Sequence, residues 1–150
     1  MTLMINRRQA LAVGAGAVVL ASGLSVPAFA KNDSAELIEK FTGGKKPADG
    51  KIKLDLPEIA ENGNTVPMTV SVESPMTEQS YVQEVLVVTD ENPRAGVATF
   101  HFTPQSGVAE ANVRIRLAQT QNVIAIAKMN DGSLFTTSKQ VKVTIGGCGG

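Results

Sequence analysis

The sequence predicts an all-β domain. It is expected to be an immunoglobulin-like β-sandwich of about seven strands, with a short N-terminal helix and a flexible C-terminal arm. Two observations carry the fold class. Apolar residues recur at every second position through most of the chain, and turn residues interrupt them every 8 to 12 positions. A third observation, the ending Gly146-Gly147-Cys148-Gly149-Gly150, sets the arm apart.

The alternation runs in order. Ile52, Leu54 and Leu56 are spaced by two, as are Val66, Met68, Val70 and Val72. Val85 and Val87 stand beside Leu86 and Val88, and Val97, Phe100 and Phe102 follow. Val113, Ile115 and Leu117 alternate with Arg114 and Arg116, the pattern of a half-buried strand with its charges outward. Residues 123–127 form a short apolar run, and Val141, Val143 and Ile145 alternate again. Asn62-Gly63-Asn64, Ser74-Pro75, Asn92-Pro93 and residues 104–107 read as turns. Asp131-Gly132, between Ile126 and Leu134, reads as a hairpin. A subunit with apolar strands as long as 81–89 and 123–127 is expected to have edges that need cover, with part of the apolar strand surface closed by a partner.

Before the strands, residues 32–42 have helical spacing, with Ser34 as the expected cap and Gly43-Gly44 as the stop. Residues 45–50, with Pro47 and Gly50, read as a linker.

Residues 1–30 read as a cleaved export signal. Arg7 and Arg8 precede an apolar stretch over residues 10–24, and Ala28-Phe29-Ala30 supplies the small-x-small cleavage pattern. The stretch is rich in Gly and Ala and shorter than the roughly 20 residues a membrane span needs. The adjacent arginines and weak hydrophobicity point to the twin-arginine route, although Ala10 stands where a bulky residue is usual. The domain plan is therefore the signal over 1–30, a β-sandwich domain with its N-terminal helix over 31–145 and an arm over 146–150. The expected location is the periplasm. Removing the signal takes two arginines and no acid, which leaves a net charge of −2. That balance gives no basic face for nucleic acid.

Enzyme templates find little. The one histidine, His101, lies on the opposite side of its strand from Phe100 and Phe102 and reads as a surface residue. One His and one Cys cannot supply the usual zinc ligand sets. Asp55, Glu58 and Glu61 do not follow the order of a calcium loop. Met68, Met76 and Met129 are scattered too widely for a copper site and read as filler.

The single cysteine is different. Exported proteins that use cysteine for stability use it in pairs, so a lone thiol in an oxidising compartment signals reactivity or intermolecular bonding. Cys148 has only glycines beside it, which leaves nothing bulky to bury it. An extended tail gains about 3.3–3.6 Å per residue, so the thiol could stand on the order of 10 Å beyond the sheet. On this reading Gly146, Gly147, Gly149 and Gly150 supply reach and clearance for a swinging thiol. Two other readings use the same tail. One is activation of the Gly150 carboxylate, as in ubiquitin-like sulfur carriers, which needs ATP that an exported protein lacks. The other is an exported interaction module without covalent cargo.

The ending Val141-Lys142-Val143-Thr144-Ile145-Gly146-Gly147-Cys148-Gly149-Gly150 resembles SoxY, the carrier subunit of the Sox thiosulfate-oxidising system. So do Leu54-Asp55-Leu56-Pro57-Glu58-Ile59-Ala60-Glu61-Asn62-Gly63 and Ile115-Arg116-Leu117-Ala118-Gln119-Thr120-Gln121-Asn122-Val123-Ile124-Ala125. The resemblance implies an immunoglobulin-like fold and a non-catalytic role, with sulfur intermediates attached at Cys148 and no other cofactor. It implies a heterodimer with a SoxZ-like β-sandwich subunit. It also implies service to a haem-containing thiosulfate-conjugating enzyme, a sulfate-releasing hydrolase and a sulfane dehydrogenase.

Overall fold

The computed structural model describes residues 32–147. Residues 1–31, which include the expected export signal, and Cys148, Gly149 and Gly150 lie outside the described residues. Among these residues the chain forms one helix and nine strands in two sheets. Helix α1 spans Ser34–Thr42. The strands are β1 (Ala48–Asp49), β2 (Ile52–Asp55), β3 (Ile59–Ala60), β4 (Val66–Val72), β5 (Val82–Thr89), β6 (Gly96–His101), β7 (Ala109–Ile115), β8 (Gln121–Met129) and β9 (Leu134–Val143). The larger sheet runs β1-β9-β8-β5-β6, with β3 also on β9, and the smaller runs β2-β4-β7.

The expected sandwich is present, and the alternation explains it. In β4 every second residue is buried, from Val66 through Met68 and Val70 to Val72. These side chains meet Val85 and Val87 of β5, Val123, Ala125 and Ala127 of β8, and Val141 of β9 in one core. Burying a side chain of this size contributes about 1.5–3 kcal/mol, so the layer between the sheets dominates stability. Met68, Met76 and Met129 all belong to this core.

β5 departs from simple alternation because it is covered on both faces. Leu86 and Val88 point away from the main core, against Leu37, Ile38 and Phe41 of α1. The helix thus occupies the outer face of the larger sheet. The apolar segments 81–89 and 123–127 lie in β5 and β8, interior in the sheet order, and the helix covers their outer side. The edge beside β5 is β6, and β7 is an edge of the smaller sheet; each is paired on one side only among the described residues.

The ends of α1 correct one expectation and bear out another. Ser34 is the first helical residue, not the cap. The N-cap position is Asp33, and its carboxylate accepts the Ala95 N–H at 2.9 Å instead of capping. Gly43 terminates the helix at φ +64°, with its N–H bonded to the Glu39 carbonyl at 2.8 Å. That left-handed conformation favours glycine.

Strand count exceeds the expected seven because two very short strands join β9 in parallel. Ala48 and Asp49, within the expected linker, register with Phe135 and Thr136. Ile59 and Ala60 register with Lys142 and Val143. The hairpin at Asp131-Gly132 forms as expected and links β8 to β9, with Gly132 at φ +86° and its N–H on the Met129 carbonyl. Leu134 and Val141, read as parts of separate segments, belong to a single ten-residue strand.

Candidate functional site: the root of the C-terminal arm

The final strand carries the chain to the arm, so the arm begins wherever β9 stops being held. β9 ends at Val143, but hydrogen bonding continues. Segment 58–63 runs beside the end of the chain. Lys142 N–H donates to the Glu58 carbonyl at 2.9 Å, and Thr144 N–H donates to Ala60 at 3.1 Å. The Thr144 hydroxyl donates to the Glu61 carbonyl at 3.0 Å. Gly63 N–H then donates to the Ile145 carbonyl at 2.8 Å.

Gly63 is a crossing point. Its N–H holds Ile145, and its carbonyl accepts the Leu117 N–H at 2.8 Å. The Leu117 carbonyl in turn accepts the Gly147 N–H at 2.9 Å. Three stretches of chain, just after β3, just after β7 and just after β9, therefore meet through backbone groups alone. Gly63 and Gly147 are both buried.

Meeting so closely excludes side chains. A β-carbon on Gly63 would lie 2.2 Å from the Leu117 carbonyl oxygen and 2.7 Å from the Gly147 nitrogen. One on Gly146 would lie 2.2 Å from the Ala118 oxygen, and one on Gly147 would lie 2.9 Å from the Gly63 oxygen. Glycine is used here for close backbone approach.

Asn92 steadies the acceptor side. Its amide N–H donates to the Arg116 carbonyl at 2.9 Å. Its side-chain oxygen accepts the Ala118 N–H at 2.9 Å and the Gln121 amide at 2.8 Å. Gln121 is almost fully buried; its amide also donates to the Gln119 carbonyl at 3.0 Å, and its side-chain oxygen accepts the Glu91 N–H at 3.2 Å. The Leu117 side chain is fully buried in the core. Beside this network, Asn92, Arg94, Arg114 and Arg116 border an open groove of about 400 Å³ between β6 and β7.

The expected arm over 146–150 begins inside this contact. Gly146 and Gly147 are packed against Ala118, Leu117 and Gly63, so they form the anchored root of the tail. Cys148, Gly149 and Gly150 lie outside the described residues. Gly63 was read as part of a turn, and the sequence carries no local sign of its contact with Gly147.

The remaining candidates fall elsewhere. His101 is exposed on β6, with Nδ1 3.2 Å from a carboxylate oxygen of Glu84, as a surface strand residue would be. Lys128 approaches the same carboxylate at 3.9 Å and lies over the Phe41 ring at 4.9 Å. Asp55 ends β2, and Glu58 and Glu61 flank β3, without forming a ligand cluster. No group of three or more His, Cys, Asp or Glu side chains that could hold a metal occurs among the described residues. No helix among them is long and apolar enough to cross a membrane.

A family model described as "Sulfur oxidation protein SoxY" matches residues 38–148, a stretch that ends on the chain's one cysteine. This chain belongs to the SoxY family. A solved structure of the sulfur carrier protein SoxY from Chlorobium limicola f thiosulfatophilum is 31% identical. It covers 74% of this chain and 96% of its own, at a TM-score of 0.61. Two superoxide reductases share the fold alone. The neelaredoxin from Ignicoccus hospitalis is 19% identical over 63% of this chain and 80% of its own, with a TM-score of 0.57. The enzyme from Nanoarchaeum equitans is 16% identical over 64% of this chain and all of its own, with a TM-score of 0.54. A comparison with curated proteins produced no match. As a SoxY protein, the chain is placed in a system of sulfur oxidation, and its partners are components of that system.

Proposed function

We propose that this SoxY protein is a periplasmic covalent carrier on which Cys148 holds sulfur intermediates derived from thiosulfate. The observation that carries this reading is the family match that runs through to Cys148, in a chain with no other thiol. The likeness to a solved SoxY sulfur carrier supports it. The protein is a substrate-bearing subunit rather than a catalyst and needs no resident cofactor.

The chemistry follows from the thiol. As thiolate, Cys148 is the nucleophilic form. Joining its sulfur to the terminal sulfur of thiosulfate makes a new S–S bond and releases an electron pair, which the haem-containing conjugating enzyme accepts. Water then cleaves the bond to the terminal sulfonate. Its oxygen leaves in sulfate, and a persulfide remains on Cys148 for a sulfane dehydrogenase to oxidise. Gly149 and Gly150 leave the thiol unobstructed on its far side. A SoxZ-like subunit completes the heterodimer, and the one-sided edges of β6 and β7 are where a second β-sandwich can pair. Residues 1–30 carry the pair to the periplasm by the twin-arginine route.

Intact-mass measurement of the protein purified from thiosulfate-grown cells tests the reading. Sulfur adducts are expected on Cys148, and Cys148→Ser should remove them while changing stability by no more than about 0.5 kcal/mol. A thiocarboxylate on Gly150, or an unmodified Cys148 in cells actively oxidising thiosulfate, would overturn it.

A further inference from the structure

We infer that Gly63 and the Leu117 carbonyl form a clamp that fixes the root of the carrier arm at Gly147. Gly63, with Asn92 behind it, is then a positioning residue for the Cys148 thiol. The inference deepens the carrier reading and rests on it for the role of the thiol.

The clamp is closed from three sides. Gly63 holds the chain before the arm through Ile145, and it holds Leu117 through its own carbonyl. Leu117 holds Gly147. The fit leaves no room for a β-carbon at Gly63, Gly146 or Gly147, where the nearest backbone atoms would stand at 2.2, 2.2 and 2.9 Å. Three glycines distant or adjacent in sequence are thus required by one contact. Clearance for a moving arm would not require Gly63 at all. The acceptor carbonyls cannot drift to accommodate a change, because Asn92 bonds the peptides on both sides of Leu117 and the Leu117 side chain is locked in the core.

Anchoring at Gly147 changes what the arm can reach. Consecutive Cα atoms stand 3.80 Å apart, so the Cys148 backbone begins one such step from a fixed point. An arm released after Thr144 would extend roughly 10 Å further, at 3.3–3.6 Å per residue. The clamp therefore fixes the residue before the thiol at the end of the sandwich formed by Asn62, Gly63, Leu117, Ala118 and Asn92. Partner enzymes must receive this end of the domain as well as the terminal residues.

Amide hydrogen exchange on the full chain, without sulfur cargo, tests the clamp directly. The Gly147 amide is expected to exchange at least about tenfold more slowly than the Gly149 amide. A nitroxide attached to Cys148 should broaden the amides of residues 61–64 and 117–120 preferentially. In Gly63→Ala, Gly147 protection should fall to the level of Gly149 and the broadening should spread, while the Ala125 amide in β8 stays protected. With the concentration of folded carrier matched between the two proteins, Gly63→Ala should also raise the KM for loading by the conjugating enzyme more than it lowers kcat. Equal exchange at Gly147 and Gly149 in the unaltered protein, or evenly spread broadening, would overturn the clamp. Neither measurement requires Gly63→Ala to fold. Because both use unloaded protein, their failure leaves the carrier reading standing, and absence of adducts on Cys148 would leave the clamp standing.

Discussion

The side-chain oxygen of Asn92 accepts the backbone N–H of Ala118 at 2.9 Å, across 26 residues of sequence. The same side chain donates to Arg116 and accepts from the buried Gln121. One amide thus ties the turn after β5 to the segment leaving β7, which receives the arm root.

Asn92→Ala would leave the Ala118 N–H and the Arg116 carbonyl without their protein partners and remove one of the two bonds that the Gln121 amide donates. A partly buried group left unsatisfied costs about 1–3 kcal/mol, so the variant should lose about 2 kcal/mol in urea unfolding. Asn92→Asp keeps both acceptor functions and loses the donation to Arg116. It should therefore unfold between the wild type and the alanine variant. Equal stability of all three proteins would remove Asn92 from this role.

Valine substitutions at the two inner flanks of Cys148 should now separate. Gly147→Val places a β-carbon within 3 Å of the Gly63 carbonyl oxygen, so it should displace the arm root even in the isolated protein. Gly149→Val changes the chain beyond the thiol, not the clamp before it. It should leave chemical shifts at Gly63 and Leu117 unchanged and slow only turnover by partner enzymes. Unchanged shifts at Gly63 and Leu117 in Gly147→Val would contradict the packing described here.

Acid should act at the β8–β9 hairpin. The Ser133 hydroxyl, and then its backbone N–H, hold the Asp131 carboxyl below its ordinary value of 3.8. A depressed folded-state pKa means that its stabilisation is present above the unfolded value and is lost as pH falls through the folded one. Asp131→Asn keeps an oxygen for the Ser133 N–H but does not titrate. The stability difference between wild type and Asp131→Asn should therefore shrink as pH drops below about 4. A difference that is constant across that window in pH-dependent unfolding would argue against the assignment.

Export can be tested through the pair of arginines. Changing Arg7 and Arg8 to Lys should hold the protein in the cytoplasm together with any leaderless partner that folds onto it. Fractionation and immunoblotting of both subunits give the readout. Normal periplasmic levels of the partner would show that it travels by its own route.

Much of this molecule was legible in its sequence. Alternation of Val66, Met68, Val70 and Val72 is a periodic signal that only a strand with one buried face produces. Asp131-Gly132 and Gly43 mark a turn and a helix end because glycine readily adopts their positive φ. The tail motif led to the SoxY family without any knowledge of packing. Tertiary structure decided the rest. Two residues, as in β1 or β3, are too few to show a period, and their partners lie in β9, far along the chain. Leu86 and Val88 look like an unbroken apolar run until α1 covers the second face of β5. Gly63 and Gly147 look like a turn residue and a flexible spacer. Their meeting depends on β3, β7 and β9 ending at the same corner of the sandwich, and no local pattern encodes a contact between distant backbones.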